Sequence, residues 1–420
     1  MAGVSTDSKH RSTAGYVAFT YRDFRYHAAF RFLSGAAMQI QNVGVGWYLY
    51  TETKSAWALG FAGLASFIPS LVFALFTGHV ADNFNRRIVV WLAFLTCGLS
   101  SLILTVLITT GLFSTWPIYL CLILTGAGRS FGNPAGNAIT PLLVPREQLS
   151  NAISWYSISM QTATISGPAL GGLLYFFGPT AVFSAATLGF LAAAVCESMI
   201  RTSTRPDDRP RQKINWETLS AGLRFIYRKP ELFGAITLDL VAVLFGGATS
   251  LLPIVAQDIL QTDPFGLGLL RSAPAVGAIA MAAALAYFPL KSKVGKKLLL
   301  AVAIYGFATI AFGLSTSMLL SLGFLALMGA GNSLSVVIRH TMVQIETPDE
   351  MRGRVAAVNS IFTGTSNDLG DFESGAVAAL IGVGPAIVFG GAATILCAIL
   401  WGRLFPALRD RDTLLGKSPH

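Results

Sequence analysis

Six charged side chains stand well inside apolar stretches of this chain: Arg129, Asp239, Arg271, Asp368, Asp371 and Glu373. An ionised group in hydrocarbon is costly, so each must pair, change protonation or face water. Burial raises the proton affinity of a carboxylate and a nearby guanidinium lowers it. A cavity that offers both settings in turn can move protons. Gln39 and Asn42 share one helical face and can bond a substrate or a neighbouring helix. Each charge also has a plain structural reading. Asp368 and Asp371 share a face and can lock helices together, while Glu373, two residues on, points elsewhere. Arg129 can be a structural ion pair, and Arg271, about 9 Å from a span end, can snorkel. Asp239 stands alone on its span. Glu197 precedes Arg201 by four residues, which suits a local pair, and His79 and His340 fall at span ends, where solvated histidines are common.

No enzyme chemistry is visible. There is no Walker A loop, no His/Cys/carboxylate set at metal spacing and no nucleophile–base set. The expectation is therefore no catalytic residue, no metal and no cofactor. Cys97, Cys121, Cys196 and Cys397 all fall in apolar runs and read as small core residues.

The elements that position these residues follow from composition. The chain has 420 residues, 53% hydrophobic and 12% charged, against about 25% charged in soluble domains. Its net charge of +9 suits basic loops of a membrane protein better than a nucleic-acid binder. About 20 apolar residues cross the hydrocarbon. Twelve such runs are predicted: 29–50, 57–80, 88–110, 116–139, 153–177, 179–199, 231–257, 265–289, 298–315, 317–340, 354–381 and 386–404. The fold class is thus an all-α membrane protein of twelve transmembrane helices in two six-helix bundles, 29–199 and 231–404. A cytoplasmic segment 1–28, a linker 200–230 and a cytoplasmic tail 405–420 complete it. With both termini cytoplasmic, that side collects nearly all the Lys and Arg, and the opposite loops hold only Lys54. In the linker, Trp216, Leu219, Leu223 and Ile226 share a helical face, which predicts an interfacial helix on the cytoplasmic leaflet.

The halves repeat at a shift of 203 residues. Gly126-Ala127-Gly128 falls on Gly329-Ala330-Gly331, Ser130 on Ser333, Gly167 on Gly370 and Gly172 on Gly375. Parallel six-plus-six halves are a known transporter construction, with the substrate near the midplane between them.

After span 2 the chain reads Gly78-His79-Val80-Ala81-Asp82-Asn83-Phe84-Asn85-Arg86-Arg87. This resembles the loop signature of the major facilitator superfamily, departing from it at Asn83 and Asn85. Gly78, Asp82, Arg86 and Arg87 are the expected gating residues. Arg86 and Arg87 should anchor at the anionic membrane surface, and Asn85 can keep a left-handed turn. Gly167, Pro168, Gly171 and Gly172 resemble the kink motif of that superfamily's antiporters. Asn133-Pro134-Ala135, Leu143-Val144-Pro145-Arg146-Glu147, Leu251-Leu252-Pro253 and the stretch Leu369–Gly375 are similar to its drug-efflux branch, the enterobactin exporter group. The resemblance implies a secondary transporter of the bacterial inner membrane, acting as a monomer in the lipid bilayer. Its partners would be a small amphiphilic substrate and protons, with no nucleic acid, and its direction export. An importer or uniporter, or a membrane sensor, is the alternative.

Overall fold

The computed structural model describes residues 14–111, 114–204, 216–290, 292–348 and 351–413. Among them are twelve long helices: α1 (Arg22–Thr53), α2 (Ala56–Asn83), α3 (Arg86–Thr109), α4 (Thr115–Ile139), α5 (Leu149–Leu174), α6 (Pro179–Ser198), α7 (Pro230–Ile259, interrupted), α8 (Pro264–Tyr287), α9 (Val294–Leu314), α10 (Met318–Glu346), α11 (Arg352–Ile381) and α12 (Val383–Leu404). At 1.5 Å per residue the shortest is about 30 Å, enough to span a bilayer core. Eight of the twelve are apolar enough to cross on composition alone. The other four, α1, α4, α5 and α11, carry the denser polar side chains.

Local sequence sets the helix ends. Pro179, Pro230 and Pro264 open α6, α7 and α8, where a missing N–H costs nothing. The Asp263 carboxylate accepts from the Gly266 N–H at 2.8 Å and caps α8. Gly178 (φ 92°) and Gly382 (φ 90°) make the sharp turns into α6 and α12, a conformation that needs glycine.

The glycines that repeat in sequence make matching contacts in space. Gly126 of α4 lies against the Ser66 carbonyl of α2, and Gly329 of α10 against the Pro274 carbonyl of α8. A Cβ on Gly128 would sit 2.6 Å from the Ala93 carbonyl of α3, and one on Gly331 3.0 Å from the Ala301 carbonyl of α9. The Ser130 hydroxyl reaches Ser70 on α2 (3.1 Å), and Ser333 reaches the Ala278 carbonyl on α8 (3.1 Å). Each pair joins equivalent helices of the two halves. Close helix approach through small residues is how membrane bundles pack without a hydrophobic driving force.

The halves meet mainly at the face opposite the termini. A Cβ on Gly375 of α11 would lie 2.6 Å from the Gly60 Cα of α2, and one on Gly172 of α5 2.8 Å from the Phe265 Cα of α8. The Tyr50 hydroxyl donates to Asp258, Lys54 Nζ to Gln257 Oε1 (2.9 Å), and Gln257 Nε2 to the Thr51 hydroxyl (3.0 Å). Nearer mid-depth, the Ser272 hydroxyl donates to the Ile165 carbonyl (2.7 Å). One apolar cluster, with Leu49, Leu59, Leu252, Leu267 and Leu270, runs through both halves here. Toward the termini the apolar packing divides. One cluster, around Phe24, Phe94 and Phe190, lies wholly within α1–α6 and its flanks, and others, around Leu238 and Ile236, wholly in the second half.

One expectation changes. The seventh span is not one helix: it breaks at Gly246–Gly247 and resumes as a 3-10 turn, Ala248–Leu251, and a short wider-wound segment. The Tyr305 hydroxyl donates to the Gly246 carbonyl (2.8 Å) and so pairs a backbone oxygen at the break. The linker helix, Trp216–Arg228, docks on the second half. Ile226 is fully buried with Ile236, Val355 and Val358, while Leu223 of the same apolar side stays exposed. The side chains of Trp216 and Leu219 lie outside the described residues.

Glycine contact at the closed face predicts the effect of adding bulk there. Spin labels at the exposed Glu52 and Gln261 should give one short distance, and Gly375→Val should add a longer population by pulsed electron resonance.

Candidate functional site: a charged seam between the halves

Asp239 is not alone. It is buried (5% exposed) and ion-paired to Arg339 of α10, itself 2% exposed. Sequence reading placed Arg339 at the end of its span, near residue 340. The helix runs on to Glu346, so Arg339 stands about 10 Å inside. The usable signal was that no helix breaker stands between His340 and Pro348.

Arg271 does not snorkel. Its guanidinium lies at the seam against α1, where a Cβ on Gly46 would meet Nη2 at 3.1 Å. Its Nε is sealed from solvent without a hydrogen-bond partner. Asp371 of α11 is close enough for the two charges to act on each other. The Asp371 Cβ would sit 3.0 Å from a Cβ on Gly63 of α2. Two charged side chains of the second half thus occupy gaps left by glycines of the first. Glu373 is half-buried and takes one long bond from the Ser374 hydroxyl (3.5 Å). The Asp368 side chain lies outside the described residues.

In the first half, Arg129 and Asn42 are half-buried. Gln39 packs its Cβ against Gly167 (2.6 Å from a Cβ there), and Gly171 packs on the Ile40 Cα (3.1 Å). Pro168 presents its carbonyl to Gly268 of α8. The kink motif therefore seats α5 on both α1 and α8. Gln41, not singled out from sequence, is fully buried and donates to the Thr125 hydroxyl (3.3 Å).

The loop after α2 differs from its sequence reading. The side chains at Gly78, His79 and Asp82 lie outside the described residues. Asn85 has extended, not left-handed, backbone (φ −63°, ψ 111°) and caps α3, accepting from the Arg87 N–H at 3.1 Å. The same oxygen accepts from the Thr204 hydroxyl (2.7 Å). Arg86 is buried (4% exposed), and Arg87 donates to the Ile200 carbonyl just past α6. A cation at a helix C-terminus is favourable, so the Arg87 side chain serves the segment leaving α6, and the Arg86 backbone N–H donates to the Thr204 carbonyl of that segment (3.4 Å). Asp23 holds the same segment, accepting from the Arg201 N–H (3.0 Å), the Thr202 N–H (2.7 Å) and the Thr202 hydroxyl (2.6 Å). Partial burial works to raise its pKa, but these bonds, with help from Arg22, hold it below the usual carboxylate range.

Glu197 pairs with His27, not with Arg201. Both side chains are fully buried, with Nδ1 to Oε2 at 3.1 Å, and the other ring nitrogen meets the Thr140 hydroxyl at 3.2 Å. His340 is exposed.

Comparison with known proteins agrees with this architecture. A family model described as transmembrane secretion effector matches residues 13–414. The chain is 28% identical over 360 residues to the enterobactin exporter EntS of Shigella dysenteriae serotype 1, covering 84% of this chain and 83% of that one. EntS of Escherichia coli O139:H28 matches equally. Among solved structures, a bacterial homolog of the human lysosomal transporter Spinster, inward-facing and unoccupied, aligns with a TM-score of 0.71 at 15% identity over 94% of this chain and 99% of that one. A POT family transporter in complex with 5-aminolevulinic acid aligns at 0.73 and 12% identity, over 92% and 96%.

The buried pair yields a stability prediction. Asp239→Ala leaves the Arg339 charge unpaired and should cost about 3–5 kcal/mol. Asp239→Leu with Arg339→Leu should recover most of that loss. Thermal unfolding of the purified protein in one detergent measures both.

Proposed function

The chain belongs to the transmembrane secretion effector family of the major facilitator superfamily and is a multi-pass membrane transporter of small molecules; from this we propose that it exports an amphiphilic organic molecule across the bacterial inner membrane in exchange for protons. The relatives named as exporters support the direction. The basic bias of the segments on the termini face supports a cytoplasmic position for both termini. With that orientation, the closed face is the outer one and the protein is inward-facing.

The observation that carries the mechanism is the seam. Glycine contacts and the Tyr50–Asp258 bond close one face, and the Arg271–Asp371 charges sit on that closed contact. Rocking the halves about the seam to open the outer face would draw Asp371 from Gly63 and change its distance from Arg271. A carboxylate beside a guanidinium favours the ionised form, and one left in a dry gap favours the protonated form. Asp371 is thereby the coupling residue of this reading. Asp239, already held by Arg339 within the second half, is the second choice. Asp82 keeps its role as a gating residue by resemblance to the superfamily signature.

Two measurements decide this. In liposomes carrying an imposed pH gradient, Asp371→Asn should abolish gradient-driven accumulation and retain substrate exchange. Full accumulation by both Asp371→Asn and Asp239→Asn removes the coupling assignment. For sidedness, single cysteines at Ser203 and Ser292 in a variant lacking the four native cysteines should react with a membrane-impermeant maleimide only after the cells are opened.

A further inference from the structure

Arg31 lies about 14 Å along α1 from its start at Arg22. Its guanidinium rests over the Tyr156 ring of α5 at 4.8 Å. Nη1 donates one long bond, 3.5 Å, to Asn133 Oδ1 of α4, and Nε is sealed without a hydrogen-bond partner. A guanidinium offers five N–H donors, so this one is far from satisfied. The Tyr156 hydroxyl donates to Asn137 Oδ1 at 2.9 Å. These bonds orient both asparagines with their oxygens engaged and their amide N–H groups left to donate. Arg31 and Asn133 are half-buried, and Asn137 is exposed.

Helix phase relates the group to the contact between the halves. Gly46 of α1 meets Pro253 and Arg271 of the second half, at 3.0 and 3.1 Å from a Cβ placed there. At 100° per residue, Asn42, Gln39 and Gly35 fall within about 40° of Gly46, and Arg31 within about 60°. Gly46 touches the other half from this stripe, while Gly35 and Gln39 on it pack against Ala163 and Gly167 of α5, the helix that also carries Tyr156 and meets α8 of the other half. At its level the two halves have separate apolar cores. Glu197 lies beyond the same tyrosine, where His27 stacks on the ring at 5.3 Å and holds the carboxylate at 3.1 Å. Three helices thus converge hydrogen-bond donors and one positive charge on one place.

We propose that Arg31, Asn133 and Asn137, with Tyr156 holding the guanidinium, form a subsite for an anionic group, a carboxylate, sulfonate or phenolate at one end of the transported amphiphile. The subsite rests on the export reading and names the class of substrate it selects. Its geometry favours a planar or tetrahedral oxyanion that takes two guanidinium N–H bonds and one amide bond.

The test reads binding without transport, so a failure of direction or coupling leaves it standing. Purified protein in phosphatidylcholine nanodiscs is titrated with 1-anilinonaphthalene-8-sulfonate and with the uncharged N-phenyl-1-naphthylamine, which shares its ring frame. The wild type should bind the sulfonate about tenfold more tightly than the neutral probe, a difference of the size of one charge-assisted hydrogen bond. Arg31→Gln should abolish that preference with neutral-probe binding unchanged, and Arg31→Lys should restore part of it. Asn137→Ala, at an exposed position, should weaken only the sulfonate. Equal wild-type affinity for the two probes, or a preference that survives in both Arg31→Gln and Asn137→Ala, overturns the proposal.

Discussion

A guanidinium or carboxylate carried to membrane depth must find an opposite charge, a hydrogen-bond partner or a water-filled gap, and the polar interior of this transporter is arranged around that requirement. Asp239 and Arg339 pair within the second half. His27 and Glu197 do so within the first. Arg271 and Asp371 lie where the second half meets the first. Ion pairs thus stand inside each bundle, and other charges stand where the bundles meet.

The same division explains which helices are polar. The helices α3, α6, α9 and α12 carry few internal charges and pack against the inner members of their own half, as Gly128 does on α3 and Gly331 on α9. The inter-half contacts fall mainly to α2 with α11 and α5 with α8, with α1 meeting α7 and α8 at the closed face. The broken α7 belongs to this inner set. Its break packs against Gly370 and Ser374 of α11, and a Cβ on Gly247 would meet the Ser374 hydroxyl at 2.7 Å. Irregular backbone at membrane depth is tolerated where protein covers it, and Tyr305 and α11 provide that cover.

Much of this was legible in the sequence, and the reason lies in periodicity. Twelve apolar runs predict twelve helices, since hydrocarbon thickness sets their length whatever the neighbours. The glycine repeat was legible because each glycine serves a contact that its counterpart repeats. Pairings were not. Sequence gives a residue's depth along a helix but not which neighbour it faces. Asp239 therefore looked solitary, Glu197 was assigned to Arg201 four residues on, and Arg31, two residues inside the first predicted run, was not singled out. Asn85 was misread for a related reason: a side chain can serve a turn by its own bond to the backbone as well as by a left-handed conformation.

The closed face also has a thermodynamic character. Its close contacts of Gly60 with Gly375 and of Gly172 with Pro264 bring backbone to backbone. Glycine has no rotamers to freeze, so forming this contact loses almost no side-chain entropy, and parting it recovers almost none. Closure is then weighed by a few hydrogen bonds and by dispersion between close-packed main chains. If the halves rock as proposed, terms this small would keep their two arrangements near balance. A bound molecule need contribute only a modest differential affinity to tip such an equilibrium, and its departure is enough to tip it back.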